Sequence, residues 1–267
     1  MHNPKNSSGE SLHECVRVSD IEQSGTHQKR YRLPRGIYAC RSQGAVVFLD
    51  ARQDRYYGMA GVEIVRLLDF IEFSDLDQCP RDANPPVDIK RLDRLADTLI
   101  RRGLLCRASD ESGDEGSRVP RQRLAPPQID PPLLDVVNTR SPRLGDMANF
   151  LFACLRAAWS LRWYSLGAIA SGVTHARRDN GPNALPATLE LARVFQSLQC
   201  WFFSRRNRCL FNALSLVYFL QRYEHFPHFV IGVQTAPFAA HAWVQRDGIV
   251  LDGDPENVGH FAPILVA

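Results

Sequence analysis

The sequence predicts an α+β chain in two units, a small one and a larger one joined by a linker. Three observations predict it. Between residues 31 and 107, short period-two stretches rich in Val, Phe and Tyr precede two helical stretches. Over 108–132 the chain reads ASDESGDEGSRVPRQRLAPPQIDPP, a composition that cannot bury a core and marks a linker. Over 133–267 helices come first and strands last, an α+β order.

The first 30 residues are polar and are expected to be a disordered tail. In the small unit, GIYACRS, GAVVFLDAR and DRYYGM are the strands, punctuated at Gln43-Gly44 and Gln53-Asp54. GVEIVRLLDFIEF repeats its apolar residues every three to four positions, through Val62, Val65, Leu68 and Ile71, and predicts a helix. VDIKRLDRLADTLIRRGLLCR is the second helix. Asp88 caps it, Leu92, Leu95 and Leu99 form its stripe, and Gly103 ends it. Strands then helices in a unit this small make it winged-helix-like.

In the larger unit GDMANFLFACLRAAWSLRWYSL is a helix with Asp146 near its start. PATLELARVFQSLQCWFFSRR is the next, with Pro186 in its first turn. CLFNALSLVYFLQRY is the third. The period then drops to two. HFVIGVQT, HAWVQ and GIVLDG are strands, RDG is a tight hairpin turn, and APILV closes the chain. Trp159, Trp163 and Trp201 are expected to pack in the core or between the units.

Composition excludes several function classes. A net charge of +3 does not suggest a nucleic-acid binder, whose basic residues cluster on one face. There is no run of about 18 apolar residues, and MHNPKNSSGESLHEC lacks a signal pattern, so a cytoplasmic chain with no membrane partner is expected. Seven cysteines without a C-x-x-C pair argue against a disulfide framework and a structural zinc. His225 and His228, around Phe226-Pro227, are read as surface loop residues because no third metal ligand is in evidence. No metal is expected.

One cysteine stands apart. Cys209 opens a predicted helix behind Arg205, Arg206 and Arg208, where the helix dipole and the cations favour a thiolate. A buried structural thiol is the competing reading. His241 starts a strand between small residues, as a base beside a nucleophile requires. If Asp247-Gly248 form the turn, Arg246 faces Ile249, Trp243 faces Asp252 and His241 faces Asp254. Asp252 and Asp254 then share the His241 side, and either can orient the imidazole. Cysteine at a helix start, His on a strand and Asp on the next follows thiol-triad logic. His260 is near in sequence, but nothing in its spacing demands a role.

These residues carry a resemblance. CLFNALSLVYFLQR, then FVIGVQTAPFAAHAWVQRDGIVLDGDPENV and FAPILV, resemble the B proteins of lasso-peptide biosynthesis. Those are transglutaminase-like cysteine proteases, on a papain/transglutaminase-like fold, that remove the leader from a ribosomal precursor peptide. The resemblance implies Cys209 as nucleophile, His241 as base and Asp252 as acid, with Asp254 second. CLFNALSL lacks the Arg-Ser often found after the family's cysteine. VVFLDARQDRYYGMAGVEIVRLLDFI and LADTLIRRGLL are similar to a PqqD-like leader-recognition domain. That implies a leader strand added to the small unit's sheet, near Tyr56 and Tyr57, with Leu95 and Leu99 walling a groove.

The implied partners are the precursor peptide and an asparagine-synthetase-like cyclase. Some family members are described as needing ATP, but this chain has no P-loop and its sequence requires no cofactor. A transglutaminase-type acyl transferase and a non-catalytic chaperone that presents the precursor are the alternatives.

Overall fold

The computed structural model describes residues 31–71, 89–108, 124, 140–178, 185–202, 208–252 and 255–267. The predicted tail, the Asp88 cap and most of the linker lie outside them.

Strands β2 (Ile37–Ser42), β3 (Ala45–Asp50) and β4 (Arg55–Ala60) form an antiparallel meander in that order. Gln43 and Gly44 take positive φ, 47° and 80°, which a two-residue hairpin turn needs at both centres. Helix α1 (Val62–Leu67) runs into a single 3-10 turn ending at Phe70, shorter than the apolar repeat predicts. Ile71 instead bridges to Tyr31. Helix α2 (Ile89–Arg101) ends as expected at Gly103, where φ is 70° and the Leu104 N–H donates to Leu99 O at 2.9 Å. Strand β1 (Tyr31–Arg32) pairs with β5 (Cys106–Arg107), tying together the two ends of the unit.

The meander is buried on both faces. Ile37, Val46 and Phe48 turn to Ile64, Leu67 and Leu99. Cys40, Val47, Leu49 and Ala51 turn the other way, into the core that holds Phe150, Phe195 and Phe219. Val46 to Leu49 are each 0% exposed. The linker's composition suggests separate cores for the two units; the structure corrects this, because one face of the small sheet is a wall of the large core.

Polar contacts fix the docking. Asp54 Oδ1 accepts the Leu166 N–H at 2.9 Å and Ala51 O accepts the Gly167 N–H at 2.8 Å. The β3–β4 turn thus caps helix α4 (Leu166–Arg178) of the other unit. A Cβ on Gly167 would stand 3.2 Å from Ala51 O. At the other end, Thr235 Oγ1 donates to Ser42 O at 3.1 Å and the Ala236 N–H to Gln43 Oε1 at 3.0 Å.

The larger unit carries helices α3 (Leu144–Trp163), α4, α5 (Leu185–Phe202) and α6 (Cys209–Gln221). A sheet of order β8-β7-β6-β9 follows, built from β6 (His228–Thr235), β7 (Phe238–Arg246), β8 (Ile249–Val250) and β9 (Ala262–Val266). A short helix, α7 (Pro255–Gly259), precedes β9. Sequence reading missed α4, although Leu166, Ile169, Ala170 and Val173 are buried at helical spacing. Two glycines and β-branched residues hide it.

Asp146 anchors the start of α3. It accepts from the Arg143 N–H at 2.7 Å, the Tyr223 hydroxyl at 2.5 Å and Arg140 at 2.6 Å. The Arg140 guanidinium foremost, then the Tyr223 hydroxyl, hold this buried carboxyl far below the usual range. Trp159 and Trp163 are exposed, which corrects their predicted place in a core. The Trp201 side chain lies outside the described residues. Among those residues no helix is long and apolar enough to cross a membrane.

Asp54→Ala removes a helix cap contributed across the two units. It is expected to cost about 1 kcal/mol in urea unfolding of the full chain. Residues 31–107 expressed alone are expected to self-associate on gel filtration, because Val47, Leu49 and Ala51 lose their cover. A monodisperse, well-folded fragment would contradict the shared core.

Candidate active site

Cys209 is the first residue of α6, with Arg208 at the N-cap. Its backbone position is that of the orphan N–H groups at a helix start, which face an anion well. The side chain is half-buried, and α6 packs along β7 and β6. Arg205 and Arg206 lie outside the described residues. Cys40 and Cys154 differ in setting: burial pushes their thiols up to about 12 and about 11.

Tyr56 on β4 faces the large core, and its phenol is pushed up to about 12, chiefly by burial. Its ring meets Phe238, at the start of β7, edge-on with centroids 5.7 Å apart. Tyr57, the next residue, necessarily faces the other way, toward the core of the small unit. The two tyrosines therefore do not share a surface. Leu99 is 0% exposed and is core, which corrects its expected place on a groove wall. Leu95 does line a groove of about 440 Å³, with Met59 and Ala60 of β4, Glu63 and Ile64 of α1, and Arg91 of α2.

On β7, alternation turns Ala242 and Val244 into the core that α6 fills and Trp243 into a second cluster with Val230, Val250 and Val258. His241 is half-buried. Its ring lies nearly parallel to Trp243, 6.2 Å between centroids, and 5.3 Å from Phe261. Gly232 lies opposite His241 on β6, where an added Cβ would come within 2.7 Å of the Trp243 ring and 2.9 Å of Phe261 Cβ. The aromatic bed of His241 thus requires a glycine there. Neither Gly232 nor Phe261 has a sequence signal that marks it for this. His260, its neighbour, is exposed.

The hairpin register is the predicted one. Arg246 pairs with Ile249, and Asp247 and Gly248 take φ 49° and 84°. The Leu251 N–H continues the ladder to Val244 O at 2.8 Å, and the Val244 N–H donates to Asp252 Oδ1 at 2.7 Å. A side-chain carboxylate thus takes over from backbone where β8 ends. Burial lowers the His241 pKa from its ordinary value, and the Asp252 charge partly raises it again. Asp254 lies outside the described residues.

Asp252, held at the end of β8 by the Val244 N–H, bears on the His241 pKa; Cys209 and His241 share no hydrogen bond. Such bonds in substrate-free enzymes are often long and tighten when substrate binds.

His225 and His228 lie among packed side chains. His225 is buried, not a surface loop residue, with its Nδ1 2.7 Å from Thr188 Oγ1; Thr188 also accepts from Arg246 at 2.8 Å. His228 opens β6 against Arg177. Among the described residues no group of three or more His, Cys, Asp or Glu is placed to hold a metal.

Residues 151–266, from within α3 to the end of β9, match the family model described as Transglutaminase-like superfamily. Neither the comparison with curated proteins nor that with solved structures returns a match. The C-terminal part of the chain is therefore a transglutaminase-like domain, of a superfamily that generally includes cysteine peptidases and acyltransferases.

His241 is expected to titrate below 6.5, so that the neutral base persists under mildly acidic conditions. Asp252→Asn removes a charge that favours the imidazolium and is expected to lower the His241 pKa further. Imidazole NMR titration of the full chain measures both. An unchanged or raised value in the variant would separate Asp252 from His241.

Proposed function

We propose that this chain is a cysteine peptidase that holds a ribosomal precursor peptide by its leader and cuts leader from core, as in lasso-peptide maturation. What supports the reading is a transglutaminase-like match over the part of the chain that carries Cys209 at a helix start and His241 on a strand, with Asp252 bearing on the imidazole and a small β-meander docked against the same core.

His241 takes the Cys209 proton, and the thiolate attacks the carbonyl at the junction. The imidazolium returns the proton to the departing amine, which is the new N-terminus of the core. Water then hydrolyses the thioester on the leader side. Asp252 holds the imidazole in place and offsets its charge. No step needs a metal or a nucleotide. The freed core amine would pass to an asparagine-synthetase-like cyclase.

The leader would add to the outer edge of β4, the end strand of its sheet. The groove between β4, α1 and α2 would take an apolar leader side chain beside Leu95. The Arg91 and Glu63 side chains approach to 3.7 Å at its wall. The small unit's order of three strands and then helices supports a PqqD-like role. If an amine replaces water at the thioester, the same site becomes an acyl transferase, and the product mass distinguishes the two.

The test is incubation of the full chain with a synthetic precursor, followed by mass spectrometry. Cys209→Ala is expected to lose leader release by about 10³-fold or more, with leader affinity kept. Asp252→Asn is expected to slow it by more than about a hundredfold. Release at the wild-type rate by the Cys209 variant would end this reading.

Leu95→Glu is expected to weaken leader binding about tenfold or more, since a carboxylate would sit in an apolar groove. The saturated rate should change little. Anisotropy with labelled leader reads the first and single-turnover kinetics the second.

A further inference from the structure

Helix α3 is apolar on both sides. Phe150, Ala153 and Ala157 face the main core. On the other side Leu144, Leu151, Phe152, Leu155, Trp159 and Trp163 are exposed, Leu155 by 71% and the tryptophans by 62% and 61%. Six large side chains so exposed present roughly 800 Å². That exceeds the largest apolar patch of an ordinary monomer, about 300–600 Å². A helix that is apolar all round is normally covered all round.

Charge indicates what covers it. Three guanidiniums border the ridge, each laid on an aromatic ring: Arg162 over Trp163 at 4.9 Å, Arg222 over Phe152 at 5.2 Å and Arg156 over Tyr218 at 4.1 Å. All three residues are exposed, and among the described residues none of them forms an ion pair. Asp146, the one acidic residue of α3, is buried and bound by Arg140. The complement of this surface is therefore apolar in the middle and anionic at its border.

The placing of the cations selects among such complements. At about 100° per residue Arg162 falls in line with Leu155, at the end of the ridge, while Arg156 lies on the flank where Arg222 meets Phe152. An acidic protein would have to set a carboxylate at each of these points around a projecting ridge, and to pair Arg162 within the apolar contact itself. A bilayer with acidic headgroups offers an anion at every point. It also lets an arginine stem lie along the acyl boundary with its head among the phosphates. Trp159, Trp163 and the exposed Tyr164 gather at the same end of the helix as Arg162, and these ring types collect at headgroup level. Leu, Phe and Trp on one face with arginines at its edge is the make-up of a helix that lies in the plane of a membrane surface.

We propose that α3 seats the chain on an anionic lipid surface, lying along the headgroups with Leu151, Leu155 and Trp159 turned toward the acyl chains. This revises the expectation of no membrane partner. That expectation rests on the lack of a long apolar run, which a helix lying on a membrane does not need. The seating does not depend on Cys209 or on the cleavage reading.

The test is flotation of the full chain with two kinds of vesicle, one of phosphatidylcholine alone and one of equal parts phosphatidylcholine and phosphatidylglycerol. Binding to the mixed vesicles is expected to be about tenfold tighter or more, and added salt should weaken it. Leu155→Glu should cut binding to the mixed vesicles by about tenfold or more, with helix content unchanged by circular dichroism. Arg156→Gln with Arg162→Gln should remove most of the preference for the mixed vesicles. Tryptophan emission should shift to the blue when those vesicles are added. A variant with Trp159→Phe and Trp163→Phe should still float and lose that shift. A chain that floats with neither kind of vesicle would overturn the proposal, as would flotation indifferent to Leu155→Glu. A dimer seen by sedimentation velocity without lipid and lost in Leu155→Glu would give the face to a second copy. Retention on immobilised polyglutamate, lost in Leu155→Glu and without flotation, would give it to an acidic protein. Either result overturns the lipid assignment.

Discussion

Burial of β3 on both faces is the constraint on which the rest of the chain depends. A strand wetted on one side alternates apolar and polar residues; Val46, Val47, Phe48 and Leu49 do not alternate, and none is exposed. One set needs α1 and α2 as cover. The other turns to the larger unit, where the small sheet meets β6 and β9. The small sheet is therefore a middle layer, and its turns sit against the larger unit. The Asp54 cap on α4 and the Gln43 and Ser42 contacts with the end of β6 follow from that placement. So does the packing of Tyr56 against the shared core.

The larger unit supplies a second constraint, the two-residue turn at Asp247-Gly248. Left-handed backbone at both positions fixes the pairing of β7 with β8. That pairing sets Asp252 where its carboxylate replaces a ladder carbonyl for Val244 and lies near His241. A one-residue slip would turn His241 and Trp243 into the α6 core and leave Ala242 on the aromatic bed. The placement of His241 and Asp252 is thus a product of turn chemistry and strand alternation, with Gly232 making room for the aromatic bed.

Much of this was legible in the chain because the signals are local. RDG between two period-two runs gives the turn, hence the register, hence the place of Asp252. The helix that opens at Cys209 and the end of α2 at Gly103 are read the same way. What was hidden depends on contacts far apart in sequence. The GAVVFLDAR strand shows its doubled burial as an unbroken apolar run, but nothing in it says that the second cover lies beyond the linker. Tyr56 and Tyr57 are one residue apart, so alternation alone says that they part. Only the docked fold says which of them reaches the shared core. Trp159 and Trp163 illustrate the reverse error. Large aromatics at helical spacing suggest a core, yet here they lie on the face of α3 opposite the one buried by Phe150 and Ala157. Helix α4 went unseen because Gly167, which comes close to Ala51, weakens the helical signal for a packing reason that the local sequence does not display.

A shared core also changes how recognition and cleavage can be coupled. A flexible tether between two independent units raises the effective concentration of a held peptide at the thiol but leaves the cutting position loose. Here the edge strand β4 belongs to a sheet whose other face is cemented into the transglutaminase-like domain. In the proposed reading, a leader added to β4 is therefore held at a fixed offset from Cys209. Strand pairing advances by about 3.3 Å per residue, so the register of the leader on β4 would decide which peptide bond arrives at the thiol. Choice of the bond would then lie in the backbone register and in the groove beside Leu95, rather than in a deep pocket at Cys209. On that reading a sheet that rocked by one residue's rise would release the wrong amine, and a meander built into the core would prevent it.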